Sequence, residues 1–140
     1  MTVLLVEDDA MVRVTLADFF EAAGLDVLEA ENAEDAMTIV EDEAQCIDVL
    51  VTDLDLGPGE DGLALAKAAR LLRPGLLVIY ETGSPELFVG HAFADWERVF
   101  HKPFDPVALT QAVLALEGGA GRPAPRRQRS AGARLAASSL

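Results

Sequence analysis

Four short segments carry most of the residues that could do chemistry. They are Glu7-Asp8-Asp9, Asp53 with Asp55 two residues on, Glu81-Thr82, and Lys102 after His101. Each follows a strand-like segment: Val3–Val6, Ile47–Thr52, Leu76–Tyr80 and Trp96–Phe100 respectively. Singly these residues have ordinary explanations. An acid after a strand often caps the next helix, an aspartate in a turn is common, and a lone lysine is a solvated charge. Jointly they are more demanding. Carboxylates gathered in one crevice repel one another unless a cation or a proton compensates. A donor set made only of oxygen, with open positions, suits Mg²⁺, which keeps waters and accepts phosphate oxygens. An ammonium beside such a cluster can pair with a carboxylate and then with a phosphoryl group. Together they make a place where Asp53 can accept a phosphoryl group while metal and lysine neutralise charge.

The elements that must bring these residues together alternate along the chain. The apolar runs Val3–Val6, Leu25–Leu28, Ile47–Thr52, Leu76–Tyr80 and Trp96–His101 are predicted as strands. Helical spacing falls between them. Val12, Leu16, Phe19 and Ala23 precede Gly24; Asn32 caps a helix carrying Ala33, Met37 and Val40; Leu65, Ala69 and Leu72 precede Pro74-Gly75. Ser84 and Pro85 open a fourth helix. Asp105 and Pro106 open a fifth, with Leu109, Val113 and Leu116 as its stripe. Strands that are apolar throughout, separated by helices, mean an α/β fold whose parallel sheet is covered on both faces. Five units are too few for an eight-stranded barrel. The expectation is a flavodoxin-like doubly wound five-stranded sheet of order 2-1-3-4-5, with ligands at the carboxyl ends of the strands. The first and third strands are then neighbours, so Glu7, Asp8 and Asp53 converge and Lys102 arrives on the far side of Asp53.

Composition narrows the class. The chain has 140 residues, about half of them apolar, and a formal charge of −13. Residues 1–117 hold all 24 acids against six bases, a net of −18; residues 118–140 hold five arginines and no acid, a net of +5. An acidic body argues against binding nucleic acid through phosphates. The single cysteine, Cys46, excludes an internal disulfide and a cysteine zinc site, and it reads as a buried small hydrophobe. His91 and His101 are not at ligand spacing, and Trp96 reads as a rim packing residue. The N-terminus has no cationic lead and no run approaches 18 apolar residues, so a cytoplasmic protein with neither signal peptide nor membrane span is expected. A boundary is placed near Glu117. The Gly-, Pro- and Arg-rich residues 118–140 are predicted to be a disordered tail.

The segments Val3-Leu-Leu-Val-Glu-Asp-Asp9, Val51-Thr-Asp-Leu-Asp55, Asp61-Gly-Leu63 and Lys102-Pro-Phe104 resemble the receiver domain of bacterial two-component response regulators, over residues 2–117. The resemblance implies that Asp53 takes a phosphoryl group from a histidine kinase or a histidine phosphotransfer protein. It implies Mg²⁺ held by Asp8, Asp53 and the backbone carbonyl of Asp55, with Glu7 acting partly through water. It gives Lys102 the contact to the phosphoryl group and places a cis bond before Pro103. It implies no enzyme activity beyond self-catalysed gain and loss of phosphate on Asp53.

Three departures stand out. The loop Leu54–Gly62 is one residue longer than the commonest form, with Gly57 where proline is usual. The hydroxyl position that ends the fourth strand, counted from Pro74, falls on Glu81; Thr82 follows, just before Gly83, leaving both as candidates. Three residues before Lys102, where the family places a switch aromatic, stands Val99, which weakens the usual threonine–tyrosine coupling.

Other functions fit less well. Asp53-Leu54-Asp55 also resembles the nucleophile motif of haloacid-dehalogenase-type phosphatases, but that motif normally follows the first strand, and there is no room for the usual cap. A flavin phosphate would meet Glu7-Asp8-Asp9, which repel it. A pseudo-receiver that binds a partner without phosphorylation is argued against by the intact acids and Lys102. Twenty-three residues after Glu117 cannot fold as a winged helix, so a stand-alone receiver without a DNA-binding domain is expected, signalling by contact with a protein target or by phosphate relay. Monomer and homodimer both stay open.

The opposed charges of body and tail generate a first prediction. Contacts between exposed charges are worth under about 1 kcal/mol per pair and are screened by salt. Deleting residues 118–140 should lower the melting temperature slightly at low salt and leave it unchanged at high salt. Identical melting of full-length and truncated proteins at low salt would show that the tail does not fold back on the body.

Overall fold

The computed structural model describes residues 1–56, 61–83, 92–102 and 105–117. The predicted helix at Ser84-Pro85, His91, Gly57, the bond before Pro103, Phe104 and the tail 118–140 lie outside the described residues. Five strands, β1 (Thr2–Val6), β2 (Asp26–Ala30), β3 (Val49–Asp53), β4 (Leu77–Thr82) and β5 (Glu97–His101), form one parallel sheet of order β2-β1-β3-β4-β5. Among the described residues the helices are α1 (Ala10–Ala22), α2 (Ala33–Glu41), α3 (Gly62–Leu72) and α4 (Pro106–Glu117). The doubly wound fold and strand order expected from the sequence are those observed.

The central strands are apolar because both faces are covered. Val3, Leu5, Val49, Val51, Leu77 and Ile79 pack with Leu16, Ala17 and Phe20 of α1 and Leu109, Val113 and Leu116 of α4. On the opposite face Leu4, Val6, Leu50, Val78 and Tyr80 pack with Ala36 and Val40 of α2 and Leu65, Ala66 and Ala69 of α3. Each fully buried Val, Leu or Ile is worth roughly 1.5–3 kcal/mol over leaving it in water. Period two along each strand therefore assigns alternate residues to opposite layers.

Several local expectations shift. β2 begins at Asp26 and runs to Ala30, in full register with β1 from Thr2 to Val6. β3 begins at Val49, so Cys46 falls in the connection before it and is exposed rather than buried. In α1 Phe20 is the buried aromatic, while Phe19 is 39% exposed; in α3 Leu72 is exposed and Ala66 takes its place in the core. Phe19 and Phe20 are one step apart around α1, while Leu72 is the last residue of α3. Gly24, at φ 91°, ends α1 in the left-handed region where a side chain would be strained.

Trp96 packs against both layers, with the Arg70 guanidinium 4.1 Å above its ring. Beneath it the Tyr80 hydroxyl donates to Glu97 Oε2 at 2.7 Å, and Glu97 Oε1 accepts the Ala94 N–H at 2.8 Å. These bonds satisfy a carboxyl only 4% exposed.

Gly62 opens α3 directly behind β3. A Cβ there would stand 2.5 Å from the Asp53 carbonyl oxygen and 3.0 Å from Leu54 Cα, both backbone atoms that have nowhere to go. Gly62→Ala is expected to destabilise by about 1–3 kcal/mol in chemical unfolding, as overpacking does. At Gly75, where nothing lies within 4 Å, the same change should be tolerated. Equal stability of the two variants would contradict the close approach of α3 to Asp53.

Candidate functional site

The acids and the lysine meet at the carboxyl edge of the sheet. β1 pairing continues one residue past the strand, with the Glu7 N–H donating to Ala30 O at 3.0 Å. Asp9 then turns the chain into α1: its Oδ1 accepts the N–H groups of Met11 and Val12 at 2.9 and 3.2 Å. Of the three consecutive acids the third is therefore a helix cap, and Glu7 and Asp8 are left for the site. Asp53 is the last residue of β3, next to β1 in the sheet. Lys102 follows β5, and its N–H donates to Thr82 O at 2.7 Å.

One oxygen each of Glu7, Asp8 and Asp53 lies within 4.8 Å of the others. Asp53 Oδ2 accepts from Lys102 Nζ at 2.8 Å, and its Oδ1 accepts the Asp55 N–H at 3.1 Å. Lys102 Nζ is also 3.7 Å from Glu7 Oε1, while Glu7 Oε2 accepts the Asp9 N–H at 3.2 Å. Glu7 is buried, Asp53 nearly so, and Asp8 exposed, so the cluster opens to solvent on the Asp8 side. The donor set fits a hard divalent cation: carboxylate oxygens alone, one of them reachable from water, with Glu7 Oε1 buried and lacking a hydrogen-bond partner.

Glu81 lies beside this cluster, on the next strand. It is the register partner of Asp53 and is fully buried, and its carboxyl meets that of Glu7. Two carboxylates have no proton between them, so the contact is a hydrogen bond only when one of the pair is protonated. Burial pushes Glu81 up to about 8, with the neighbouring Glu7 charge adding to it. Burial likewise raises Glu7 to about 7, against the opposing pull of the Asp9 amide and Lys102. Burial works against the Lys102 ammonium, but its hydrogen bond to Asp53 and the surrounding carboxylates outweigh that and hold its pKa above the usual value.

Of the two candidates at the end of β4, Thr82 is buried as the last strand residue, opposite His101, and Glu81 contacts the acids. Val99 stands opposite Tyr80 in the register, so the aromatic ring at this level belongs to β4. Arg13 was not singled out by its spacing. Its Nη1 donates to the Glu7 carbonyl at 2.8 Å and its Nε lies 3.3 Å from Glu29 Oε1, bracing the turn that carries the acids. A signal for it exists, since Arg13 is the only Lys or Arg before Lys67.

The raised carboxyl groups have a pH consequence. Glu7 and Glu81 hold their protons to higher pH when folded than when unfolded. Their contribution to stability is therefore complete below the ordinary value of 4.5 and is lost as the pH rises through about 7 and about 8. Between about pH 5 and about pH 8, metal-free Glu81→Gln should lose less melting temperature than the parent. Parallel decline of the two proteins would contradict the raised Glu81.

Comparison with known proteins agrees with this geometry. Residues 3–114 match the family model for the response regulator receiver domain. The chain is similar to the phosphate regulon transcriptional regulatory protein PhoB of Pseudomonas aeruginosa, 32% identical over 133 residues that cover 89% of this chain and 56% of that protein. It is also similar to sporulation initiation phosphotransferase F of Bacillus subtilis, 28% identical over 113 residues, covering 79% of this chain and 89% of that one. A solved receiver domain from the hybrid histidine kinase CckA superposes with a TM-score of 0.69 at 32% identity, covering 82% of this chain and 97% of that one. The chain spans 21% of a cyclic di-GMP phosphodiesterase of Thermotoga maritima, and about half of PhoB and of the aerobic respiration control protein ArcA of Escherichia coli. Among the described residues no helix is long and apolar enough to cross a membrane. Sheet order, acid cluster, lysine and family match converge, and the chain belongs to the response regulator receiver domains of two-component systems.

Proposed function

We propose that this chain is a phosphoacceptor, modified on Asp53 by a histidine kinase or a histidine phosphotransfer protein in the presence of Mg²⁺. The observation that carries this is the 2.8 Å pair of Lys102 Nζ and Asp53 Oδ2 inside a cluster of acids. The ammonium holds one Asp53 oxygen, and the Asp55 N–H orients the other. An Asp53 oxygen attacks the phosphorus of a phosphohistidine; the O–P bond forms, the P–N bond breaks, and the imidazole leaves with a proton from solvent. Lys102 then exchanges its carboxylate partner for a phosphoryl oxygen, a charge-assisted contact it can make without leaving the site. Glu7, Asp8, Asp53 and the Asp55 carbonyl would hold Mg²⁺, which neutralises charge on the transferring group. Thr82 and Glu81 end the strand beside Asp53 and are the candidates to border the phosphoryl group.

We assign residues 1–117 to the receiver and 118–140 to a basic appendage, with output through a protein partner or through phosphate relay. The chain acts as substrate and switch, with no turnover of its own beyond gain and loss of phosphate on Asp53. A cytoplasmic location follows from the kinase partner.

Two substitutions test the assignment. With a small phosphodonor and Mg²⁺, the intact mass of the parent should rise by one phosphoryl group, and Asp53→Asn should show none. Asp8→Asn should lose the Mg²⁺-induced rise in melting temperature that ion binding confers. Phosphate retained by Asp53→Asn, or an Mg²⁺ shift retained by Asp8→Asn, would overturn the respective role.

A further inference from the structure

Asp8 is the exposed member of the acid cluster, and it lies between β1 and α1, in neither element. Its direction is therefore set by the two peptides that flank it. On one side the Glu7 carbonyl accepts from Arg13 Nη1 at 2.8 Å. On the other the Asp9 N–H donates to Glu7 Oε2 at 3.2 Å. The second bond occupies a carboxylate of the cluster; the bond from Arg13 leaves the carboxylates free for an ion. Arg13 is itself held. Its own N–H donates to Asp9 O at 2.9 Å within α1, its Nε lies 3.3 Å from Glu29 Oε1 on β2, and its side chain is only 17% exposed. A planar guanidinium with acceptors on two different elements has a fixed orientation. Charge alone would make this residue an opponent of cation binding. It is the only Lys or Arg before Lys67, and it stands on the peptide next to Asp8, where like charge repels an incoming ion.

We propose that Arg13 is a positioning residue of the cation site: its hydrogen bond to the Glu7 carbonyl fixes the direction of Asp8 and strengthens Mg²⁺ binding in spite of its charge. This rests on the Mg²⁺ reading above. Oxygens of Glu7, Asp8 and Asp53 lie within 4.8 Å of one another, and carboxylates so close repel. Asp8, exposed on its turn, has the most room to move away. If the turn were loose, the free energy of ordering it would fall on the binding step. Mg²⁺ demands near-ideal octahedral geometry, so a misdirected carboxylate weakens it more than a more flexible ion. A carbonyl pinned from α1 sets the turn before the ion arrives.

Calorimetric titration of the full chain with MgCl₂, well below the melting temperature, tests this in the parent, Arg13→Ala, Arg13→Lys and Leu116→Ala. Arg13→Ala should bind Mg²⁺ about tenfold more weakly, the lower end of what groups behind metal ligands contribute. Arg13→Lys keeps the charge and one donor but cannot reach both acceptors, and should recover part of that loss. Leu116, buried in the last turn of α4, controls for stability: its truncation should lower the melting temperature and leave Mg²⁺ affinity unchanged. If charge governs instead, Arg13→Ala binds Mg²⁺ more tightly than the parent. Affinity in Arg13→Ala equal to or above that of the parent, a lysine that recovers nothing, or an equal loss in Leu116→Ala overturns the proposal and leaves the Mg²⁺ reading standing. A parent that does not bind Mg²⁺ overturns that reading and this proposal with it.

Discussion

Three carboxyl groups at the carboxyl edge of the sheet share one ammonium. Glu7, Asp53 and Glu81 each continue the period-two series of a neighbouring strand: Val3 and Leu5, Val49 and Val51, Leu77 and Ile79. The same alternation that fills the layer under α1 and α4 thus places one acid after each apolar pair, on three adjacent strands. With Glu7 1% and Glu81 0% exposed, water screens little of their repulsion. Lys102 answers Asp53 directly and Glu7 at longer range. Burial therefore raises Glu7 to about 7 and Glu81 to about 8, and the site offsets its crowding with protons as well as with the ammonium.

The surrounding structure keeps that crowding from relaxing. Arg13 grips the Glu7 carbonyl from α1, so the acids cannot swing outward without breaking a bond that also ties α1 to the β2 edge through Glu29. Asp61 accepts the Leu63 N–H at 2.7 Å as the cap of α3, and Gly62 lets that helix start against the backbone of Asp53. On the far side, Lys102 and Thr82 are joined through the main chain. The ring at the level of Val99 is that of Tyr80, pinned by Glu97.

The fold was legible in the sequence because a parallel sheet covered on both faces writes itself as apolar runs, and the helices between them carry plain caps at Asn32 and Asp105. The site was legible because its acids and its lysine end those runs. What the runs do not state is phase. Phe19 and Phe20 differ by one step around a helix, and only packing against the sheet decides between them. Cys46 lies directly before the buried Ile47 and three residues before Val49, where β3 begins, too close to the strand for an apolar pattern to exclude it from the core. The partnership of Glu81 with Glu7 spans 74 positions and two strand neighbours. Counting alternate residues back from each strand end puts them on one face; it does not show that their carboxyls meet.

The chain leaving Asp53 is tied at its neck. Leu54 O accepts the Gly62 N–H at 2.7 Å, and Asp55 and Asp61 form an antiparallel bridge just inside it. Lengthening a closed loop adds little entropy once its ends are fixed. Loop length is thereby insulated from the position of Asp53, and this makes the segment between Asp55 and Asp61 a port for grafted sequence, such as a reporter peptide or a recognition motif, that leaves the strand end at Asp53 in place.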